Sequence, residues 1–292
     1  MPNSSSNSNP FESLIETYEN NPEQIQACYE DHRVSRNAQQ KTKFLSPGFE
    51  GISVDTILLR IVNPDLEPGF VDTRNAMVFI ARPPEKLKSL IMECQQMLKD
   101  VVPNLWTVPE TSLHTTVLEV AHSRTPEEIV SLVPQIRDAA PSILNHAFTH
   151  RTRLIKPLLC FDTSAIALSF LPASMASADH SFTYHHLRRD LFALARGSGI
   201  AIESRYAAPS AHLTVGRFVH AEDLHTDASL DVCKVRQLVA RIEEVNAWLE
   251  GEYWPGGRRE LEWVVGETGL EWRTGPIWYG TGGDTLMVGE SL

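Results

Sequence analysis

The sequence predicts an α+β fold of two lobes around one cleft, and three observations predict it. The chain has 292 residues, enough for one large domain or two small lobes with a well-buried core. Strand and helix signals follow an order that occurs twice: strand, helix, strand, helix, strand, then the same again. The middle strand of each run carries one pattern, His-x-Thr-apolar, as His114-Thr115-Thr116-Val117 and His212-Leu213-Thr214-Val215. The halves share topology but few residues. Packed face to face, two such units leave a cleft in their seam.

Each element has a local reason. Residues 1–10 carry neither the basic start nor the apolar stretch of a signal peptide and read as a short disordered tail. Residues 11–74 read as an N-terminal extension packed on the core. It is helical from Phe11 to about Gln40 with a break near Asn20-Asn21-Pro22, then irregular from Ser46 to Thr73, where Pro47-Gly48, Asn63-Pro64 and Pro68-Gly69 interrupt any period. Residues 75–292 form the bilobed domain with C-terminal strands. It opens with a strand over Asn75–Ala81, and Pro83-Pro84 then starts a helix reaching about Lys99. Trp106 to Val120 holds the first histidine strand, and Thr125-Pro126-Glu127-Glu128 starts the next helix with cap, proline and acids in order. Leu154–Phe161 and Ala165–Leu171 form a hairpin about Asp162-Thr163-Ser164. A helix from about Ser181 to Arg196, the second histidine strand and a helix from about Val232 to Leu249 follow. Short strands are expected over Glu260–Val265, Gly269–Arg273 and Ile277–Tyr279.

Composition bounds the function. A formal net charge of −11 disfavours long nucleic acid as a partner, because gripping a phosphate backbone calls for a basic surface. A small phosphorylated ligand remains compatible, since a local positive pocket can sit on an acidic body. Cys28, Cys94, Cys160 and Cys233 are widely spaced and contain no Cys-x-x-Cys pair. They read as reduced, mostly buried thiols, with no disulfide frame or zinc site. No apolar run approaches the ~18–20 residues of a membrane span, so the expectation is a cytoplasmic protein with possible nuclear access and no membrane partner. Nothing in the sequence specifies the oligomeric state.

Successive strand residues point to opposite faces, so His114 shares a face with Thr116, and His212 with Thr214, roughly 6–7 Å apart. A third match, His150-Arg151-Thr152, continues into Arg153 and falls where a helix gives way to a strand. The two true copies also share a serine two residues before the histidine, Ser112 and Ser210, and a proline loop ahead of that. Two imidazoles and two hydroxyls converging on one volume supply an acid, a base and two anion-binding donors. His114, Thr116, His212 and Thr214 are the candidate catalytic residues. Arg205 and Tyr206 are candidate substrate-binding residues, offering a guanidinium and a stacking ring. The plainer reading of that pair is a solvated arginine beside a packed ring, and Trp106 reads as a partly buried core residue. Strict alternation puts Arg217 on the face opposite His212 and so outside the site. His180, His185 and His186 lack the i, i+4 spacing of a helical metal pair and read as a partly exposed helix face. Gly280-Thr281-Gly282-Gly283-Asp284 has no Lys-Ser/Thr ending and reads as a turn, and no Gly-x-Ser-x-Gly elbow occurs.

With its paired His-x-Thr-apolar strands in duplicated units, the chain resembles the two-histidine (2H) phosphoesterase superfamily over roughly residues 75–265. Within it, Ala81-Arg82-Pro83-Pro84, the first histidine strand and Arg124-Thr125-Pro126-Glu127-Glu128 are similar to a fungal RNA ligase/cyclic nucleotide phosphodiesterase-like group. The resemblance implies antiparallel sheets facing a central cleft and a cyclic phosphodiesterase that uses neither metal nor cofactor. It implies a small phosphorylated substrate, such as a nucleotide, with His114 and His212 dividing the roles of base and acid and Thr116 and Thr214 holding the phosphate. Two other functions fit the same residues: another acid–base reaction on a small metabolite, and binding of a nucleotide or RNA end without turnover.

Overall fold

The computed structural model describes residues 8–174, 181–203, 207–280 and 282–292. Within them the chain runs α1 (Glu12–Thr17), α2 (Pro22–Phe44), α3 (Thr56–Val62), β1 (Asn75–Ala81), α4 (Glu85–Lys99), β2 (Trp106–Thr107), β3 (Thr115–Arg124), α5 (Pro126–Arg137) and α6 (Ala140–Thr149). It continues through β4 (Arg153–Phe161), β5 (Ala165–Pro172), α7 (Tyr184–Gly197), β6 (Ala211–Arg217), the small hairpin β7 (His225–Thr226) and β8 (Ser229–Leu230), α8 (Val232–Tyr253), β9 (Trp263–Val264), β10 (Leu270–Gly275) and β11 (Asp284–Val288).

Local chemistry sets many of the boundaries. Asn21 Oδ1 accepts from the amides of Glu23 and Gln24, with Pro22 in the first turn of α2. Thr125 and Glu128 close a reciprocal capping box on α5. Asp162 Oδ1 accepts from the Ser164 and Ala165 amides and so folds the β4–β5 turn.

The fold is α+β, and its strands pair antiparallel in the order β11-β10-β1-β3-β6-β5-β4-β9. Two half-sheets, each ending in a histidine strand, meet where β3 and β6 share the pair Thr115↔Leu213. Around the seam the halves match: β1 flanks β3 with α4 between them in sequence, and β5 flanks β6 with α7 between. The third strand of each half is exchanged relative to chain order. β4, expected to close the first unit, pairs with β5 of the second, while β10 from the C-terminal region pairs with β1 of the first.

The main core lies between the sheet and its helices. It takes Leu87, Ile91 and Leu98 from α4, Leu187 and Leu191 from α7, and Leu238, Ile242 and Leu249 from α8, with Phe79 and Trp272 stacked 6.2 Å apart. Burying each such side chain contributes roughly 1.5–3 kcal/mol.

Several expectations change. Residues 46–73 are not wholly irregular, since α3 forms there. Thr56-Ile57-Leu58-Leu59-Arg60-Ile61-Val62 has weak helix propensity, but Asp55 Oδ1 accepts from the Leu58 amide, and Leu58 packs with Val219 and Tyr279. Ile277–Tyr279 is a turn, and the last strand lies at β11 instead. His185 and His186 are buried, because α1 and α2 cover α7. All four cysteines are free, but only Cys94 is fully buried. Residues 1–7, most of the expected tail, lie outside the described residues, as do His180, Arg205 and Tyr206. No helix among the described residues is long and apolar enough to cross a membrane.

Candidate active site

Extending the Thr115↔Leu213 register by one residue each way sets His114 opposite Thr214 and Thr116 opposite His212. All four side chains line one cavity of about 130 Å³ at the seam. Both strands interrupt their alternation at the same place. Phe79 pairs with Leu118 but Ile80 pairs with Thr116, which leaves Val117 as an extra residue. Ile166 pairs with Gly216 but Ala167 pairs with Thr214, which leaves Val215 extra. The apolar fourth residue of each motif is therefore a β-bulge, and each bulge re-aims the residues after it.

The consequence is a correction to the reading of Arg217. Ser169, Ala167 and Ala165 alternate on one face of β5 and pair with His212, Thr214 and Arg217. Arg217 thus shares the face of His212 and lines the cavity. The matching register on β1 pairs Ile80 with Thr116 and Val78 with Glu119, which brings Glu119 into the same cavity. Neither residue was assigned to the site from sequence. One signal was present: five residues after each histidine, an apolar strand carries a charge.

The two imidazoles are held differently. His114 Nδ1 donates to the Ser112 carbonyl at 2.8 Å, because a carbonyl can only accept, so Nε2 carries the lone pair of the neutral ring. His212 Nδ1 lies 3.0 Å from the Ser210 hydroxyl, which can donate or accept. Burial pushes both imidazoles down to about 4. For His114 the Ser112 carbonyl opposes that shift, as does the Glu271 carboxylate. For His212 the charges of Arg188, His114, Arg36 and Arg217 all add to it.

Two arginines brace this arrangement. Where β3 and β6 part, the buried Arg188 of α7 donates from Nε to the Val117 carbonyl at 3.3 Å and from Nη1 to the Ala208 carbonyl at 3.1 Å. It satisfies the bulge carbonyl that the diverging strands no longer pair and brings positive charge to the cavity wall. Arg82 grips Glu271 with two nitrogens, at 3.0 and 3.1 Å, and donates Nη1 to the Thr111 and Leu113 carbonyls, which fastens the turn leading into His114.

Backbone approach is tight at two glycines. A Cβ on Gly280, where φ is +74°, would lie 2.3 Å from the Ser112 carbonyl oxygen, the group that holds His114. A Cβ on Gly216 would lie 2.8 Å from Leu105 Cδ2. The turn expected at Gly280-Thr281-Gly282-Gly283 therefore buttresses the site; Arg273 donates to the Gly280 and Gly282 carbonyls, and Thr281 lies outside the described residues. At the mouth, Arg217 pairs with Asp55 at 3.6 Å, and Asp55 accepts from the Tyr279 hydroxyl at 2.8 Å. Trp106 is partly buried and lines the cavity beside Tyr279. No group of three or more His, Cys, Asp or Glu side chains that could hold a metal ion occurs among the described residues.

No protein-family model and no curated protein sequence matches the chain. Among solved structures it is similar to ATU0111 of Agrobacterium tumefaciens, described as a conserved protein of unknown function. That match has 16% identity, covers 81% of this chain and 99% of that one, and has a TM-score of 0.47. It is also similar to Usb1 of Kluyveromyces marxianus, at 10% identity over 74% of this chain and 98% of that one, with a TM-score of 0.38. A structure of the same Usb1 with uridine monophosphate gives 12% identity over 74% and 99%, with a TM-score of 0.36. With TM-scores below 0.5 these are distant likenesses.

Proposed function

We propose that the protein is a phosphodiesterase that opens a 2′,3′-cyclic nucleotide or a related small cyclic phosphodiester by acid–base catalysis between two histidines, as its likeness to the 2H phosphoesterases implies. One observation carries the reading: both His/Thr pairs line a single small cavity whose wall includes Arg188 and Arg217. Ring opening needs a base to take a proton from water and an acid to protonate the departing ribose oxygen. The attacking and leaving oxygens are opposite each other at phosphorus, which suits two groups approaching from different strands. Water adds to phosphorus, one P–O bond of the ring breaks, and the products are a phosphomonoester and a free ribose hydroxyl. Thr116 and Thr214 hydroxyls donate to the non-bridging oxygens, whose charge grows in the transition state.

The partners of the imidazoles support a division of labour. At His114 the Ser112 carbonyl and the Glu271 carboxylate favour the imidazolium against burial and the charges of Arg82 and Arg273, whereas at His212 the neighbouring charges all oppose protonation. His114 is assigned the acid and His212 the base. An anionic substrate raises both imidazoles from their free-enzyme values, so the protonated acid forms on binding.

Replacing either histidine by Ala is expected to cut hydrolysis of 2′,3′-cyclic nucleotides by at least about 10²-fold with an unchanged near-UV dichroism spectrum. The wild-type rate is expected to persist in EDTA. Full activity in either variant, or a strict metal requirement, overturns the proposal. Tight binding of a nucleotide without turnover would favour the non-catalytic alternative.

A further inference from the structure

A second chamber, of about 430 Å³, opens off the histidine cavity and shares His212, Thr214, Arg217 and Trp278 with it. Its far wall belongs to α2, which contributes His32, Arg33 and Arg36. The charge there opposes that of the whole molecule: among the described residues, Arg33, Arg36 and Arg217 line the chamber against the single carboxylate of Asp162, in a chain of net charge −11. The Asp162 carboxylate is largely committed, accepting at Oδ1 from the Ser164 hydroxyl and the Ser164 and Ala165 amides, with Arg36 3.9 Å from Oδ2.

Arg33 carries the argument further. Its side chain is 4% exposed and donates Nη1 to the Lys156 carbonyl at 2.7 Å. Its Nε and Nη2 are buried without a hydrogen-bond partner among the described residues, the nearest carboxylate oxygen being Glu30 Oε1 at 3.8 Å. Those two nitrogens lie beneath the chamber wall, out of reach of a ligand within it, so Arg33 contributes positive charge from behind the wall. Size points the same way. Ligand pockets run to about 300–1,000 Å³, so the 130 Å³ cavity takes a reacting phosphate and part of its sugar. The remainder of a nucleotide needs the 430 Å³ beside it.

We infer that α2 builds a second anion subsite, and that the substrate is a cyclic phosphodiester carrying a second phosphate group, which Arg36 binds with the charge of Arg33 behind it while the cyclic phosphate lies between the histidines. This deepens the phosphodiesterase reading and rests on it for the occupant of the first cavity. The second phosphate is either a 5′-phosphomonoester or the next phosphodiester of an RNA 3′ end.

Titration calorimetry with a nucleoside 3′-phosphate, the 3′,5′-bisphosphate and a dinucleotide bearing a 3′-phosphate tests the subsite without turnover. The bisphosphate or the dinucleotide is expected to bind at least about tenfold more tightly than the monophosphate, as charge-assisted hydrogen bonds imply. Whichever binds more tightly identifies the source of the second phosphate. In Arg36→Gln the preference is expected to shrink several-fold, and in Arg36→Glu to vanish; Arg36 is 53% exposed, so both variants should fold. Equal affinity for all three probes, no binding of any, or a preference untouched in both variants overturns the inference. Loss of the catalytic reading is separate: it appears as absent turnover of cyclic nucleotides while the calorimetric preference stands.

Discussion

His114 and His212 occupy equivalent positions yet differ in what their Nδ1 atoms touch, and that difference yields a directional test. A carbonyl makes His114 a permanent Nδ1 donor, whereas the Ser210 hydroxyl beside His212 Nδ1 can donate or accept. If His114 is the acid, its loss matters less when the leaving group departs without a proton. With a nitrophenyl phosphodiester, His114→Ala is expected to retain at least about tenfold more of the wild-type rate than His212→Ala, given that a general acid contributes about 10²–10⁴-fold. Equal losses on both substrates would refute the assignment. Both histidines were legible in the sequence because a four-residue pattern occurred twice in strand context. Arg217 and Glu119 were not, since strict alternation predicts the wrong face wherever a bulge inserts a residue, and nothing local marks Val117 or Val215 as the insertion.

Among elements, the turn at Gly280 shows how a distant segment sets the geometry of the candidate site. It read as a plain glycine turn, yet it packs against the carbonyl that orients His114. Gly280→Ala forces a Cβ into that carbonyl at a φ of +74°, and the left-handed conformation alone costs roughly 1–2 kcal/mol. Displacement of the Ser112 carbonyl is expected to lower kcat by about 10²-fold, the order associated with a misplacement near 1 Å. Denaturant midpoints and steady-state rates check both effects. Gly48→Ala is the control, because nothing lies within 4 Å of its Cβ, and wild-type behaviour is expected. A Gly280→Ala variant as stable and active as the control would show that the buttress is dispensable. Most helices and strands were readable from caps, prolines and periodicity. α3 was not, because its short apolar run is held by Asp55 and by burial of Leu58 against residues far along the chain.

For the molecule as a whole, the buried histidines tie stability to pH. His185 donates from Nε2 to the Phe11 carbonyl and accepts at Nδ1 from the Tyr29 hydroxyl, while His186 Nδ1 accepts from the Thr183 amide. Both are neutral by hydrogen-bond logic, and burial pushes both down to about 4, as it does His114 and His212. Between about 6.5 and about 4, the unfolded chain takes up protons that the folded chain refuses, so folding is favoured less as pH falls. Thermal midpoints are expected to be level above pH 6.5 and to drop steadily toward pH 4. A flat profile through that window would mean that these imidazoles titrate normally in the folded state. Because His185 and His186 lie beneath α1 and α2, the same acidification loosens the extension that walls the second chamber.

Length, the repeated His-x-Thr-apolar strands and the capping signals are local quantities, and from them follow the α+β class, the duplicated topology and the four residues at the seam. Local patterns are readable because backbone periodicity and cap chemistry act within a few residues. The exchange of β4 and β10 between halves, the bulges that turn Arg217 and Glu119 inward, and the burial of His185 depend on which strand or helix lies alongside. Contacts of that kind join residues far apart in the chain, and the packing of the complete fold selects among them.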